Sequence, residues 1–220
     1  MNTTGQPIVR VWDPLVRIGH WVLVAAFFVA YLTEDDLLGV HVWAGYVVGI
    51  VLLVRLVWGF IGPRYARFSD FVRGPRQTFG YLGDLVRFRA RRYIGHSPGG
   101  GAMVIALLLF LAATVVTGLV LYAEEEHAGP LAPLFGADTQ AVTGDLLKPA
   151  AADEREVLRA RTGGAEDETL EDVHDFLANV TLILIVFHIG GVLLASAVHR
   201  ENLLGAMVTG YKRPDVLDRR

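Results

Sequence analysis

The stretch Asp172 to Ala195, DVHDFLANVTLILIVFHIGGVLLA, is long and apolar enough to cross a bilayer as a helix, yet it carries His174 and His188. About 20 apolar residues rising ~1.5 Å each span a hydrocarbon core of ~30 Å. An imidazole inside such a segment is costly unless something holds it. At ~100° per residue, the spacing brings His174 and His188 back to within ~40° of one another, and it separates them by ~21 Å along the axis. The two histidines share one face at two depths.

Three more runs have the same character. The chain is 53% hydrophobic and only 20% charged, with a mean hydropathy of +0.42, which belongs to a membrane protein rather than a soluble domain. Spanning helices are expected at about 15–32, 39–61, 101–122 and 173–198, giving an all-α integral membrane four-helix bundle over a single domain, 1–220. Cysteine is absent, which removes disulfides, iron–sulfur clusters and thioether haem attachment, so redox chemistry here requires a non-covalently bound cofactor. Met1 to Arg10 is polar and the first apolar run lacks a small-residue cleavage site, so the first helix is expected to be retained. Nucleic acid is not expected as a partner.

Charge sets the orientation. Fifteen of the 20 Lys and Arg fall in the segment up to Arg17, the loop Gly62 to Gly100 and the tail after Val198, whereas 14 of the 23 acids lie between Glu124 and Asp175. The positive-inside rule then places both termini and the 62–100 loop in the cytoplasm and the acidic loop, 123–172, outside. In the cytoplasmic loop, Phe79, Leu82, Leu85 and Val86 recur at helical spacing beside Arg87, Arg89, Arg91 and Arg92. That is the pattern of a helix lying in the membrane interface, with a basic tether as the plainer alternative. The acidic loop suits the docking of a basic external redox protein, such as a c-type cytochrome, or is simply a solvated face.

The remaining histidines sort by depth. His20 opens helix 1 on the cytoplasmic side, level with His188; His41 opens helix 2 on the outer side, level with His174. Two level pairs are hard to explain as core packing. Paired imidazoles are one of the ways proteins hold haem iron, and helical bundles place such ligands on facing helices. Zinc fits less well, because nothing supplies its third and fourth ligands. Gly45 and Gly49 follow His41, Ala178 follows His174, and Gly190 and Gly191 follow His188, leaving room beside each ligand; Ala112, Ala113, Thr114 and Gly118 of helix 3 offer a close wall. Arg55 shares the face of His41 at the depth of His20 and His188, where a cation calls for an anion such as a haem propionate, with Arg17 as a second contact. Snorkelling to the interface is the alternative for Arg55.

WDPLVRIGHW, LGVHVWAGYVVGIVLLVRLVWGF, RRYIGHSPGGGAM, VHDFLANVTLILIVFHIGGVLLAS and HRENLLGAMVTGYKRP, in that order over nearly the whole chain, resemble the bacterial di-haem cytochrome b family, which includes bacterial cytochrome b561 and the b-type subunits of nickel–iron hydrogenases. The resemblance implies a bacterial inner-membrane protein with two b-type haems, an inner one on His20 and His188 and an outer one on His41 and His174. It also implies electron transfer to or from quinone, in contact with membrane lipid. Direct oxidation or reduction of superoxide or ferric iron, and a haem-bearing anchor of a larger redox complex, are the alternatives; a homodimer stays open. The resemblance leaves the role of His96 unassigned, and His127 and His199 are expected at the surface.

Overall fold

The computed structural model describes residues 8–34, 37–135 and 152–214, with the backbone alone over 152–168. Among the described residues four helices are long and apolar enough to span a membrane: α1 (Pro14–Leu32), α2 (Leu38–Ile61), α5 (Pro98–Glu125) and the segment Thr169–His199 of α7 (Ala152–His199). Between them lie a 3₁₀ turn (Arg64–Ala66), α3 (Phe68–Phe71), α4 (Pro75–Val86) and α6 (Ala132–Phe135); α8 (Leu203–Thr209) follows α7. The spans carry many exposed large apolar side chains, Trp43, Leu53, Leu109 and Val186 among them, as lipid-facing helices must. The chain is thus an all-α membrane protein of the helical-bundle class.

Local chemistry sets the helix ends. Asp13 caps α1, its carboxylate accepting from Leu15 N (3.0 Å) and Val16 N (3.1 Å), with Pro14 at the first helical position. The Ser97 hydroxyl accepts from Gly100 N at 3.1 Å ahead of Pro98. This starts α5 one turn before the apolar run begins, since hydropathy marks what lipid tolerates rather than where hydrogen bonding starts. For the same reason α7 begins at Ala152, well before the expected boundary at 173: the acidic run is rich in Ala, Glu and Arg and free of proline, so it continues the helix. The side chains of 152–168 and all of 136–151 lie outside the described residues, and with them most of the acidic surface expected to receive an external partner.

Two compact units result, Met1–Leu109 with Thr181–Arg220, and Phe110–Val180. In the first, α1 and α2 form an antiparallel hairpin. The N-terminal strand β1 (Val9–Arg10) pairs antiparallel with β2 (Tyr211–Lys212), which brings the two terminal segments to one end of this unit. The 62–97 loop joins them there. Arg92 Nη2 donates to Glu201 Oε1 at 2.7 Å, and Lys212 Nζ, 3.7 Å from Glu201 Oε2, donates to the carbonyl of Ile94 at 3.1 Å. His199, expected at the surface, instead lies 3.3 Å from the Tyr81 hydroxyl of α4. His127 is exposed as expected. On α4 the buried side chains are Thr78, Tyr81 and Leu85, leaving Phe79, Leu82 and Val86 exposed, so Leu85 belongs to the inner face and not to the apolar outer one.

The Glu201 cluster makes this end sensitive to acid. Burial alone would raise the carboxyl, but the Arg92 hydrogen bond and the Lys212 and Arg92 charges outweigh it and hold Glu201 below its ordinary 4.5. A carboxyl depressed by folding contributes stability that is complete at neutral pH and disappears as pH falls through its folded value. Glu201→Gln, which leaves the half-buried Arg92 and the buried Lys212 without their carboxylate, is expected to cost about 3 kcal/mol at pH 7, and the difference from the unaltered chain should disappear as pH falls through the depressed folded value of Glu201. Thermal unfolding of both proteins across pH reads this directly; a difference independent of pH contradicts it.

Candidate functional site

His20 on α1 and His188 on α7 face each other within the first unit, ring centroids 6.4 Å apart and tilted by 52°. Among the described residues His20 Nδ1 is buried without a hydrogen-bond partner. A metal bonded at about 2 Å to one nitrogen of each imidazole sets the ring centres roughly 6 Å apart, so this pair is spaced for two-imidazole ligation rather than for a direct hydrogen bond. Among the described residues no group of three or more His, Cys, Asp or Glu side chains converges, so these helices offer paired imidazoles and not a three- or four-residue metal cage. Trp21 stacks edge-on against His20 at 5.1 Å and holds its ring plane.

Buried polar atoms without protein partners gather in the same unit. They are Arg17 Nε, His20 Nδ1, Arg55 Nη1, Trp58 Nε1 and His96 Nδ1. Each such atom costs about 1–3 kcal/mol unless a bound group answers it. The set consists of nitrogens only, two of them on guanidinium cations, and fits an anionic oxygen ligand such as a carboxylate. The residues present therefore fit an iron porphyrin on two counts: the spacing of two imidazoles, and buried donors for its acidic groups.

Arg55 is positioned by the loop after α2. Its guanidinium lies 5.1 Å over the Phe68 ring and 5.9 Å from that of Phe71. The Phe68 ring can sit there only because residue 59 is glycine; a Cβ at Gly59 would fall 2.0 Å from Phe68 Cε2. Packing over two rings restrains the cation inside the fold, whereas a snorkelling arginine would extend to water. Arg17 turns its Nη1 to the Val208 carbonyl near the end of α8, so its fork is shared between that helix terminus and any further anion. His96 is wedged between Trp12 (4.6 Å) and Phe71 (4.3 Å). Burial first, then the charges of Arg55, Lys212 and His188, hold it down to about 3, so it is neutral at physiological pH.

The other two histidines are each oriented by an oxygen. His41 Nδ1 lies 3.0 Å from the carbonyl of Ala30, in the last turn of α1, where carbonyls lack helical partners. A carbonyl only accepts, so Nδ1 carries the proton and the lone pair is on Nε2. In the second unit His174 Nδ1 lies 2.9 Å from Thr117 Oγ1, and that hydroxyl back-bonds to the carbonyls of Ala113 (3.1 Å) and Thr114 (3.0 Å). With its proton turned to those carbonyls, Thr117 accepts from His174, which again leaves the lone pair on Nε2. Histidine ligands to metals are commonly fixed through the other ring nitrogen in this way. Gly118 completes the seat: a Cβ there would stand 2.8 Å from His174 Cε1.

Thr117 and the Ala30 carbonyl escape a reading of the sequence alone. A backbone carbonyl leaves no trace in residue type; the threonine does leave one, being a polar residue beside a glycine in an otherwise apolar span, the kind that bonds across helices. The glycines expected to leave space behave so at three positions: a Cβ at Gly45, Gly190 or Gly191 meets no neighbour within 4 Å, so these are not helix-contact glycines among the described residues.

Comparison with known proteins identifies the family. The family model described as prokaryotic cytochrome b561 matches residues 11–210. The chain is similar to the probable Ni/Fe-hydrogenase B-type cytochrome subunit of Bradyrhizobium diazoefficiens, 28% identical over 56% of this chain and 61% of that protein. It is also similar to the probable Ni/Fe-hydrogenase 1 B-type cytochrome subunit of Escherichia coli strain K12, 29% identical over 56% of this chain and 64% of that protein. The chain thus spans less than two thirds of the length of these two relatives. With the probable Ni/Fe-hydrogenase B-type cytochrome subunit of Azotobacter vinelandii the match covers 96% of this chain and 92% of the other, at 26% identity. No solved structure matches. Four spanning helices and a match over nearly the whole chain make this a multi-pass protein of the bacterial inner membrane, and it belongs to the prokaryotic cytochrome b561 family.

Proposed function

We propose that the chain is a two-haem b-type cytochrome that carries electrons across the membrane between the quinone pool and a redox partner outside. The observation that carries the reading is the His20–His188 pair, two half-buried rings 6.4 Å apart on apolar helices, with orphaned donors in the same unit. His20 and His188 would hold the inner haem. His41 and His174 would hold the outer one, on the depth arithmetic of the sequence and on the matching tautomers that Ala30 and Thr117 impose. Bound haem supplies a reversible one-electron couple at each level. The protein's own part would be ligation, spacing and charge: two imidazoles would hold each haem iron, and apolar helices surround the sites.

Arg55 has a definable role in this scheme. If its orphaned Nη1 answers a propionate of the inner haem, Arg55→Leu should lower that haem's midpoint potential by roughly 60 mV, a tenfold change in a one-electron equilibrium. The outer haem, ~20 Å away by helix rise, should be nearly unaffected. Potentiometric titration of the two components checks this; equal shifts, or none, return Arg55 to a purely structural role against Phe68 and Phe71.

The printed names of the relatives favour a second version, in which the chain is the membrane subunit of a larger redox complex and receives electrons from a hydrogenase-like partner. Adding a quinol to the purified chain in vesicles distinguishes the two. The leading reading expects rapid haem reduction without any partner protein, and a chain whose haems stay oxidised is a wired anchor only.

A further inference from the structure

Helix α4 has an apolar face that nothing among the described residues covers. Its inner face is seated at the ends of two spanning helices. A Cβ at Gly99, near the start of α5, would lie 3.1 Å from Tyr81 Cδ1, and the Tyr81 hydroxyl meets His199, the last residue of α7. Helix α4 therefore lies at the level where the spanning helices end, which is the level of lipid headgroups. Outward from it point Phe79, Val86 and Phe88, exposed by 73%, 69% and 67%.

The end of α4 is built in an uncommon way. After Arg87, Phe88 N donates to Leu85 O (3.0 Å) and Arg89 N to Asp84 O (2.8 Å), the paired bonds of a Schellman stop. The left-handed position in that motif usually belongs to glycine, yet here it is Phe88, at φ +58°. Backbone strain of this kind persists where the residue has a task. The turn leaves the Phe88 ring outward and opens an irregular segment with arginines at alternate positions: Arg87, Arg89 and Arg91 are exposed and carry no ion pair among the described residues, while Arg92 pairs with Glu201.

We propose that α4, Phe88 and this arginine row form a binding site for anionic phospholipids, with Phe79, Val86 and Phe88 entering the acyl boundary and Arg87, Arg89 and Arg91 holding the phosphate headgroups. Three cations without counter-charges among the described residues, beside an apolar face on a helix lying at the span ends, complement an acidic lipid surface; water alone would leave the rings exposed and a neutral headgroup would leave the cations unanswered. The inference is independent of the haem assignment.

The test uses the full haem-loaded chain in phosphatidylcholine vesicles containing a trace of spin-labelled phosphatidylglycerol or spin-labelled phosphatidylcholine. The fraction of motionally restricted label gives the relative association constant. Phosphatidylglycerol should be preferred at 0.1 M salt, and the preference should shrink towards unity at 1 M, where the screening length falls from ~10 to ~3 Å. The variant R87Q/R89Q/R91Q should lower the preference at least about fivefold, the worth of one basic residue at an anionic surface. Phe88→Gly relieves the left-handed strain, so it should unfold later in detergent yet bind phosphatidylglycerol less well, a combination that a purely structural turn does not produce. A preference that survives both salt and the triple substitution overturns the proposal. So does loss of a chain–chain dimer in the triple variant with lipid preference unchanged, which assigns the face to a second copy. Should the triple variant fail to load haem, the salt titration of the unaltered chain decides alone.

Discussion

His20→Ala and His188→Ala should each leave a protein with half the haem of the unaltered chain, and each should lose the same spectral component. The two rings stand 6.4 Å apart, so neither can compensate for the other by hydrogen bonding, and removing one leaves an iron with a single protein ligand. His41→Ala and His174→Ala should likewise agree with each other and differ from the first pair. Reduced-minus-oxidised spectra with haem quantitation on the four variants give the grouping. If His20→Ala and His41→Ala removed the same component, the depth assignment would be wrong, whatever the haem count.

The second large effect is expected at a residue that is not a ligand. Gly118→Ala places a methyl group 2.8 Å from His174 Cε1 and 3.4 Å from Nδ1, closer than side-chain carbons come to one another, and the backbone of α5 is held by its own hydrogen bonds. The imidazole must move, and its bond to Thr117 moves with it. Loss of such an outer support costs ligand sites 10–100-fold in affinity, and direct displacement of the ring should reach the upper end, on the order of 100-fold for the outer haem, with the inner haem unchanged. Thr117→Val, nearly the same shape without the hydroxyl, should weaken the same haem by a smaller factor, because the ring keeps its space and loses only its tautomer lock. Titration of the apoprotein with haem, read in the Soret band, separates the two. Equal affinity in Gly118→Ala and the unaltered chain contradicts the account of His174.

Much of this was readable before any coordinates, for physical reasons. A spanning helix must satisfy its backbone internally and present apolar side chains to lipid, so all four spans are legible as uninterrupted runs, and a histidine inside one stands out by its desolvation cost alone. The approach of His20 to His188 is likewise expected from helix rise and turn without knowledge of packing, and the two rings do face each other. What the sequence could not convey is held by tertiary contact. The Phe68 ring over Gly59 and under Arg55, the Thr117 hydroxyl on His174 and the Tyr81–His199 bond each join residues whose pairing leaves no periodic trace. The inward turn of Leu85 on α4 shows the same limit: hydropathy marks a residue as apolar but does not say which of two apolar surroundings receives it.

The central claim is that this chain holds two haems, each between two histidines at its own depth. Its most direct test is the ratio of iron porphyrin to polypeptide in the purified protein, taken together with a potentiometric titration. The account predicts two b-type haems per chain, fully extracted by acidified organic solvent because no cysteine exists to attach them, and two resolvable one-electron components. A ratio of one haem per chain, or zinc in place of iron, contradicts it.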